Sequence, residues 1–296
     1  MKKIVTAIII WSLATPTYAL TYTIKKDSDI VGEVQTATVL PGESLADIGR
    51  KFDVGIYEML ASNPSLHPKR PRSGSKVVVP SQFILPTAQR QELVINLAEM
   101  RLYYFHKDGN MVSTHPIGIG REEWETPVGQ GTIIQKTKDP TWRPPASIRH
   151  WYEEHEMYLP EIVPPGPKNP LGKYAMRLSI PGYLIHGTNR PSGIGLRTSS
   201  GCIRMYPEDI ESLYYKIPLG TSVRIVNKPY KIGKHYGKLY LEAHQLLTGG
   251  SYEQLSSQEL LEMAMIEAGA PLTKAGAESI GNAIRQSRGY PILMEN

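Results

Sequence analysis

His186 and Cys202 stand sixteen residues apart in the segment YLIHGTNRPSGIGLRTSSGCIRMYPEDIESLY, residues 183–214. A thiol beside an imidazole is the minimum apparatus for nucleophilic cysteine chemistry, because the ring takes the thiol proton and later returns it to a leaving amine. Gly187, Gly193, Gly195 and Gly201 let the intervening chain fold back on itself. Gly201, directly before the thiol, lets the N–H groups around Gly201 and Cys202 converge on a developing oxyanion. Arg204 adds positive charge that either lowers the thiol pKa or holds a substrate carboxylate.

The cysteine count sharpens this reading. Cys202 is the only cysteine of 296 residues, so it has no intramolecular disulfide partner. The chain nevertheless begins like an exported protein. Lys2 and Lys3 precede an apolar stretch from Ile4 to Leu13, and Thr17-Tyr18-Ala19 closes a cleavable signal peptide, residues 1–19. Cleavage is expected after Ala19, removing Lys2 and Lys3 and lowering the formal charge from +5 to +3. The apolar stretch is too short to span a bilayer and no later one reaches the ~20 residues needed, so the mature chain is expected outside the cytoplasm and not membrane-spanning. No basic stripe suggests a nucleic-acid partner. Composition, with 41% apolar and 21% charged residues, excludes intrinsic disorder.

The elements that must position the pair follow from periodicity. Residues 90–227 read as mainly β, with strand-like runs at Glu92–Leu97, Arg101–His106, Met111–Ile117, Gly131–Lys136, Tyr183–His186 and Ser222–Val226. Their spacing suggests a β-sandwich or barrel-like catalytic domain. A helix is expected to start near Pro207. Residues 139–170 carry eight prolines among Trp142, Trp151, Tyr152 and Tyr158, which excludes regular sheet and suggests a packed, proline-rich lid. Residues 37–82 read as strand, helix, helix, strand, a small α+β (βααβ) unit in which Leu45, Ile48 and Phe52 recur at helical spacing. Residues 228–296 are expected to form a helical extension, with a capping box at Ser256 and Glu259 and a second helix from Thr273.

The segment His186-Gly187 followed by Ser199-Ser200-Gly201-Cys202-Ile203-Arg204-Met205 resembles the signature of the L,D-transpeptidases, which remodel bacterial peptidoglycan. The upstream PIGIGREEWETPVGQGTI, residues 116–133, resembles the same family's strand-loop-strand. Ser200 stands where many members carry a second histidine, which leaves His186 as the one base of the motif. The resemblance implies Cys202 as nucleophile, His186 as base and acid, and the Gly187 carbonyl as the group orienting the imidazole. Gly201 and Cys202 would supply the oxyanion hole, shaped by Ser199 and Arg204, while Ser200, Trp142, Tyr183 and Met205 are expected at the substrate. It further implies attack on a tetrapeptide stem, loss of D-Ala and a thioester captured by an amine of another stem or of an envelope lipoprotein, or by water. No cofactor or metal is required, and β-lactams, carbapenems above all, are expected to acylate Cys202. Residues 37–82 resemble the LysM module, which implies glycan binding through the loops Gly42-Glu43-Ser44-Leu45 and Asn63-Pro64, the latter running on to Leu66.

Rival readings are weaker. His150 and His155 are spaced by five, about 140° apart on a helix, whereas a zinc-protease pair needs four. Sortases place the histidine far upstream of the cysteine, and the other large class of cell-wall cysteine peptidases puts Cys before His. A non-catalytic glycan-binding scaffold would leave Cys202 idle, and replacing it with Ala would then change nothing.

Overall fold

The computed structural model describes residues 20–87, 92–247, 256–269 and 271–294; the expected signal peptide lies outside the described residues. Strand β1 (Leu20–Thr23) leads into β2 (Ile30–Gly32), β3 (Gln35–Thr38), α1 (Leu45–Lys51), α2 (Ile56–Ser62), β4 (Lys76–Val79) and β5 (Gln82–Ile84). β3 pairs antiparallel with β4, so the expected βααβ unit is present. Helices of seven residues do not persist alone in water. Here Ser44 and Asp47 form a capping box on α1, and Leu45, Ile48, Val54, Met59, Val77 and Val79 close a small core under both helices.

The barrel follows: β6 (Glu92–Asn96), β7 (Arg101–Phe105), β8 (Met111–Gly120), β9 (Gly129–Lys138), α3 (Ala146–Glu154), β10 (Tyr174–Leu178), β11 (Leu184–His186), β12 (Arg197–Ser199), β13 (Ile203–Met205), α4 (Pro207–Lys216) and β14 (Ser222–Val226). The pairing order β8-β13-β11-β10-β9-β14-β6-β7 returns from β7 to β8, so the sheet closes on itself. Closure leaves no free edge inside the ring. Leu93, Ile95, Leu102, Ile117, Ile185 and Ile203 are among the side chains that fill its interior. β1 pairs with β8 outside the ring, and the β2–β5 ribbon packs Val31 and Phe83 against Val94, Tyr103 and Val112 on the outer face.

Residues 139–170 contain α3, which the proline density concealed; Pro145 occupies its N-cap, where the missing N–H costs nothing. The expectation of a purely helical extension after residue 228 is corrected. β15 (Tyr230–His235) and β16 (Lys238–Ala243) form a hairpin first, turning at Tyr236 and Gly237 with φ of 47° and 78°. Then come α5 (Ser257–Ala268), α6 (Lys274–Gln286) and β17 (Ile292–Leu293), the last pairing with β16. The capping box at Ser256 and Glu259 and the Thr273 cap are as expected.

Two buried cations tie these parts to the barrel. Arg101 on β7 donates from Nε and Nη2 to the Glu58 carboxylate of α2 at 2.8 Å each, from Nη1 to Thr114 at 3.0 Å and from Nη2 to the Asp53 carbonyl at 3.1 Å. Lys231 on β15 meets Glu99 at 2.7 Å, Glu242 at 2.8 Å and the Ile84 carbonyl at 2.6 Å. Charges this deep persist only when their donors are satisfied.

Candidate active site

β11 and β13 run parallel, with Ile185 opposite Ile203 and His186 opposite Arg204. Ile185 and Ile203 are inside the barrel. Because side chains alternate along a strand, His186, Cys202 and Arg204 are turned to the outer face. The same alternation corrects one expectation: Met205 returns inward and is fully buried in the barrel core, so it packs the interior and cannot touch substrate.

His186 is 3% exposed, and its Nδ1 lies 2.6 Å from the Gly187 carbonyl oxygen. That carbonyl holds Nδ1 as the N–H donor, leaving Nε2 with the lone pair. Burial, reinforced by Arg204, pushes the imidazole down to about 4, against smaller opposing effects of the Gly187 and Leu171 backbone. Burial likewise raises the Cys202 thiol; the Leu184 backbone N–H, Arg204 and Arg177 pull it the other way without overcoming it. Arg204 thus lowers the thiol as expected, and burial outweighs it. The pair rests neutral, a thiol and a neutral imidazole, and Sγ donates weakly to the Gly182 carbonyl at 3.8 Å.

The turn carrying the thiol is braced from below. Ser199, 1% exposed, donates to the Cys202 carbonyl at 2.5 Å, so its hydroxyl shapes the loop and does not face an oxyanion. Thr126 donates to the Gly201 carbonyl at 2.7 Å and accepts from the Gly120 N–H at 3.0 Å. Gly201 has φ +97°, and a Cβ there would lie 2.9 Å from Cε1 of Tyr183. Tyr183 thus lies against the loop, with its hydroxyl donating to the Glu125 carbonyl at 3.4 Å. The role of Thr126 was missed from the sequence, although the Thr-Pro-x-Gly turn containing it was seen.

Much of residues 139–170, the segment expected as a lid, lines a cavity of about 940 Å³. The cavity reaches Thr188, Ser200 and Arg204, each two residues from His186 or Cys202, whose own side chains are not on its wall. Trp142, paired by backbone hydrogen bonds with Val163, is on the wall. Four cations line it, Arg121, Lys168, Arg190 and Arg204, and no carboxylate does. Arg204 donates to Thr198 at 3.4 Å, and its Nε is buried without a partner. Arg121 is clamped between the rings of Trp124 (4.6 Å) and Trp151 (4.5 Å), joining the strand end to the lid. In the lid helix, His150 faces Glu154 at 3.2 Å, while His155 stacks on Trp151 at 4.0 Å. The two histidines thus have different partners.

The expected glycan loops are mostly engaged within their own unit. Leu45 is in the core, and Asn63 donates to Met59 and Val78 and accepts from Val78 N–H. Neither side chain is offered to a ligand, which corrects those two positions. Glu43 accepts from Leu40 N–H and pairs with Lys51, and Ser44 caps α1. Gly42 and Pro64 are exposed.

A carbonyl-oriented histidine at the end of β11 and a cysteine directly before the adjacent β13 thus stand beside a carboxylate-free cationic cavity. A family model described as the L,D-transpeptidase catalytic domain (YkuD) matches residues 90–225. The chain is 42% identical over 244 residues to "Probable L,D-transpeptidase YcfS" of Escherichia coli K12, covering 80% of this chain and 76% of that one. It is 35% identical over 284 residues to "Probable L,D-transpeptidase YbiS" of the same strain, covering 93% and 92%. Among solved structures, an L,D-transpeptidase from Mycobacterium smegmatis aligns at 19% identity with a TM-score of 0.37, over 51% of this chain and 63% of that one. The chain belongs to the L,D-transpeptidase family and is an enzyme of that class. Among the described residues no helix is long and apolar enough to cross a membrane.

Proposed function

We propose that this protein is a periplasmic L,D-transpeptidase that cuts peptidoglycan tetrapeptide stems before their terminal D-Ala through a thioester on Cys202. The observation that carries this reading is the pairing of β11 with β13, which turns His186 and Cys202 to one face with Nδ1 held by the Gly187 carbonyl. In the first step Nε2 of His186 takes the thiol proton as sulfur attacks the carbonyl, so the ion pair forms only as the bond forms. N–H groups at Gly201 and Cys202 receive the oxyanion. Collapse expels D-Ala, which takes the proton from His186. An incoming amine then gives its proton to His186, attacks the thioester and returns sulfur to the thiol.

The cationic cavity suits a carboxylate-bearing stem, and the unpartnered Arg204 Nε is a donor for it. The acceptor is an amine of a second stem, giving a 3-3 cross-link, or of an envelope lipoprotein; water would give carboxypeptidase activity. The βααβ unit acts as a LysM-like anchor on glycan through the Gly42 and Pro64 loops, raising local substrate concentration. The test is mass spectrometry of the chain 20–296 and its Cys202→Ala variant with tetrapeptide muropeptides. A Cys202-dependent acyl-enzyme with D-Ala release supports the reading, and cross-linked dimer or tripeptide identifies the acceptor. Absence of both adduct and D-Ala in folded protein returns the molecule to a glycan-binding scaffold.

A further inference from the structure

The interface between the βααβ unit and the barrel holds a cluster with no part in catalysis. Asp53 after α1, His115 on β8 and Asp209 in the first turn of α4 bring their polar atoms within 4.8 Å of one another. All three are at most 3% exposed. His115 Nδ1 lies 3.3 Å from Asp209 Oδ1, outside hydrogen-bonding geometry, and both His115 Nδ1 and Asp209 Oδ2 are buried without a partner. The neighbouring cations are committed elsewhere: Arg101 to Glu58, Thr114 and the Asp53 carbonyl, Arg50 to Glu208. Burial keeps His115 neutral by pushing it down to about 4, and raises both carboxyls. Two buried acids thus share a site, Asp53 hydrogen-bonded to Asp209, with the Arg101 guanidinium close enough to act on both carboxyls while its own N–H groups are spent on Glu58, Thr114 and the Asp53 carbonyl.

One more nitrogen reaches the site. The backbone nitrogen of Leu20 donates to Asp53 Oδ2 at 3.3 Å. It is placed there by strand pairing, since Leu20 is opposite Thr114, the residue before His115. Leu20 is also the residue that follows Ala19, where the sequence predicts cleavage.

We propose that removal of the signal peptide adds a cation in direct contact with this acid pair: the new α-ammonium of Leu20 binds Asp53 beside His115 and Asp209 and locks the βααβ unit to the barrel. Hydrolysis breaks the Ala19–Leu20 amide with one water, leaving a carboxylate on Ala19 and an amine on Leu20 that takes up the released proton. A weak amide donor becomes a charge-assisted one at the same position. Processing thereby completes the interface only after export.

The test begins with the intact mass of the exported protein, which must correspond to a chain starting at Leu20. That protein is then compared with one carrying Gly-Ser ahead of Leu20, each with Asp53 intact and as Asp53→Asn. The native start should melt roughly 4 °C or more above the extended chain, and Asp53→Asn should abolish the difference. The Leu20 amine should react with a neutral-pH acylating reagent at least tenfold more slowly than the amine of a Leu-Thr-Tyr peptide. Should Asp53→Asn fail to fold, the extension and labelling comparisons still decide. Equal melting of the two starts, labelling at the peptide rate or a different first residue would each overturn the proposal. So would stabilisation of the Leu20-start protein by added zinc, which would make the cluster a metal site.

Discussion

The Ser199 hydroxyl donates to the carbonyl oxygen of Cys202 across 2.5 Å, closing the loop three residues long that presents the thiol. The Cys202 side chain is positioned through its own backbone. Ser199→Ala leaves a buried carbonyl unsatisfied, at a cost of about 1–3 kcal/mol. Turnover is expected to fall about tenfold through kcat with KM little changed, read from steady-state kinetics and a melting curve on the same sample.

Gly201→Ala is expected to be more severe. Its φ of +97° disfavours any side chain, and the new methyl meets Tyr183 at 2.9 Å. Backbone strain of this kind costs on the order of 1–3 kcal/mol, and acylation of Cys202 by a carbapenem should slow by two orders of magnitude or more. An unchanged acylation rate in folded protein would show that the left-handed turn is not needed.

His186 and His115 are both held at about 4 by burial, against ~6.5 in an unfolded chain. The unfolded state therefore binds more protons at these two histidines between those values, and their contribution to stability rises with pH across the window. Asp53 and Asp209, whose carboxyls burial raises, contribute in the opposite sense over the same range, so the check is the pH–rate profile: reaction should fall on the acid side as His186 protonates. Because burial raises the Cys202 thiol, iodoacetamide alkylation at pH 7 should be slower than for a free cysteine and still rising above pH 9.

Arg121→Ala removes the cation between Trp124 and Trp151. Each such contact is worth on the order of 1 kcal/mol, so the lid should loosen. KM is expected to rise several-fold, kcat to change less, and limited proteolysis within residues 146–160 to accelerate.

Glu58→Ala strips the partner from a buried Arg101. Leaving a guanidinium uncompensated costs about 3–5 kcal/mol, visible as a large drop in the urea midpoint.

The strands with continuous apolar or alternating runs, β6 to β9 and β14, were legible, as were His186, Cys202 and the Gly187 carbonyl. β10, β12 and β13 were not, because three to five residues flanked by turns carry too little periodicity to separate from loop. α3 was masked by the prolines on either side and by having no buried residue. The β15–β16 hairpin was overlooked although Tyr236-Gly237 marks its turn; the helical signals downstream dominated that region. The charge of Arg204 is visible in the sequence, whereas the burial that outweighs it at Cys202 arises only once β11 and β13 are folded together. Met205, expected at the substrate, is turned into the barrel core by strand alternation, which a three-residue strand does not reveal in the sequence.

β9 and β10 are paired to their ends, Tyr174 opposite Lys138, and the Asp139 N–H donates to the Lys173 carbonyl at 2.7 Å. The whole lid is thus a hairpin loop hung from a clasp that does not depend on what it contains. Loop-closure entropy grows only slowly with length, so the register of the ring depends little on the length of this segment. The cavity wall and the strand bearing His186 thus belong to separable parts of the chain, the first a loop hung from that clasp and the second a stave of the ring.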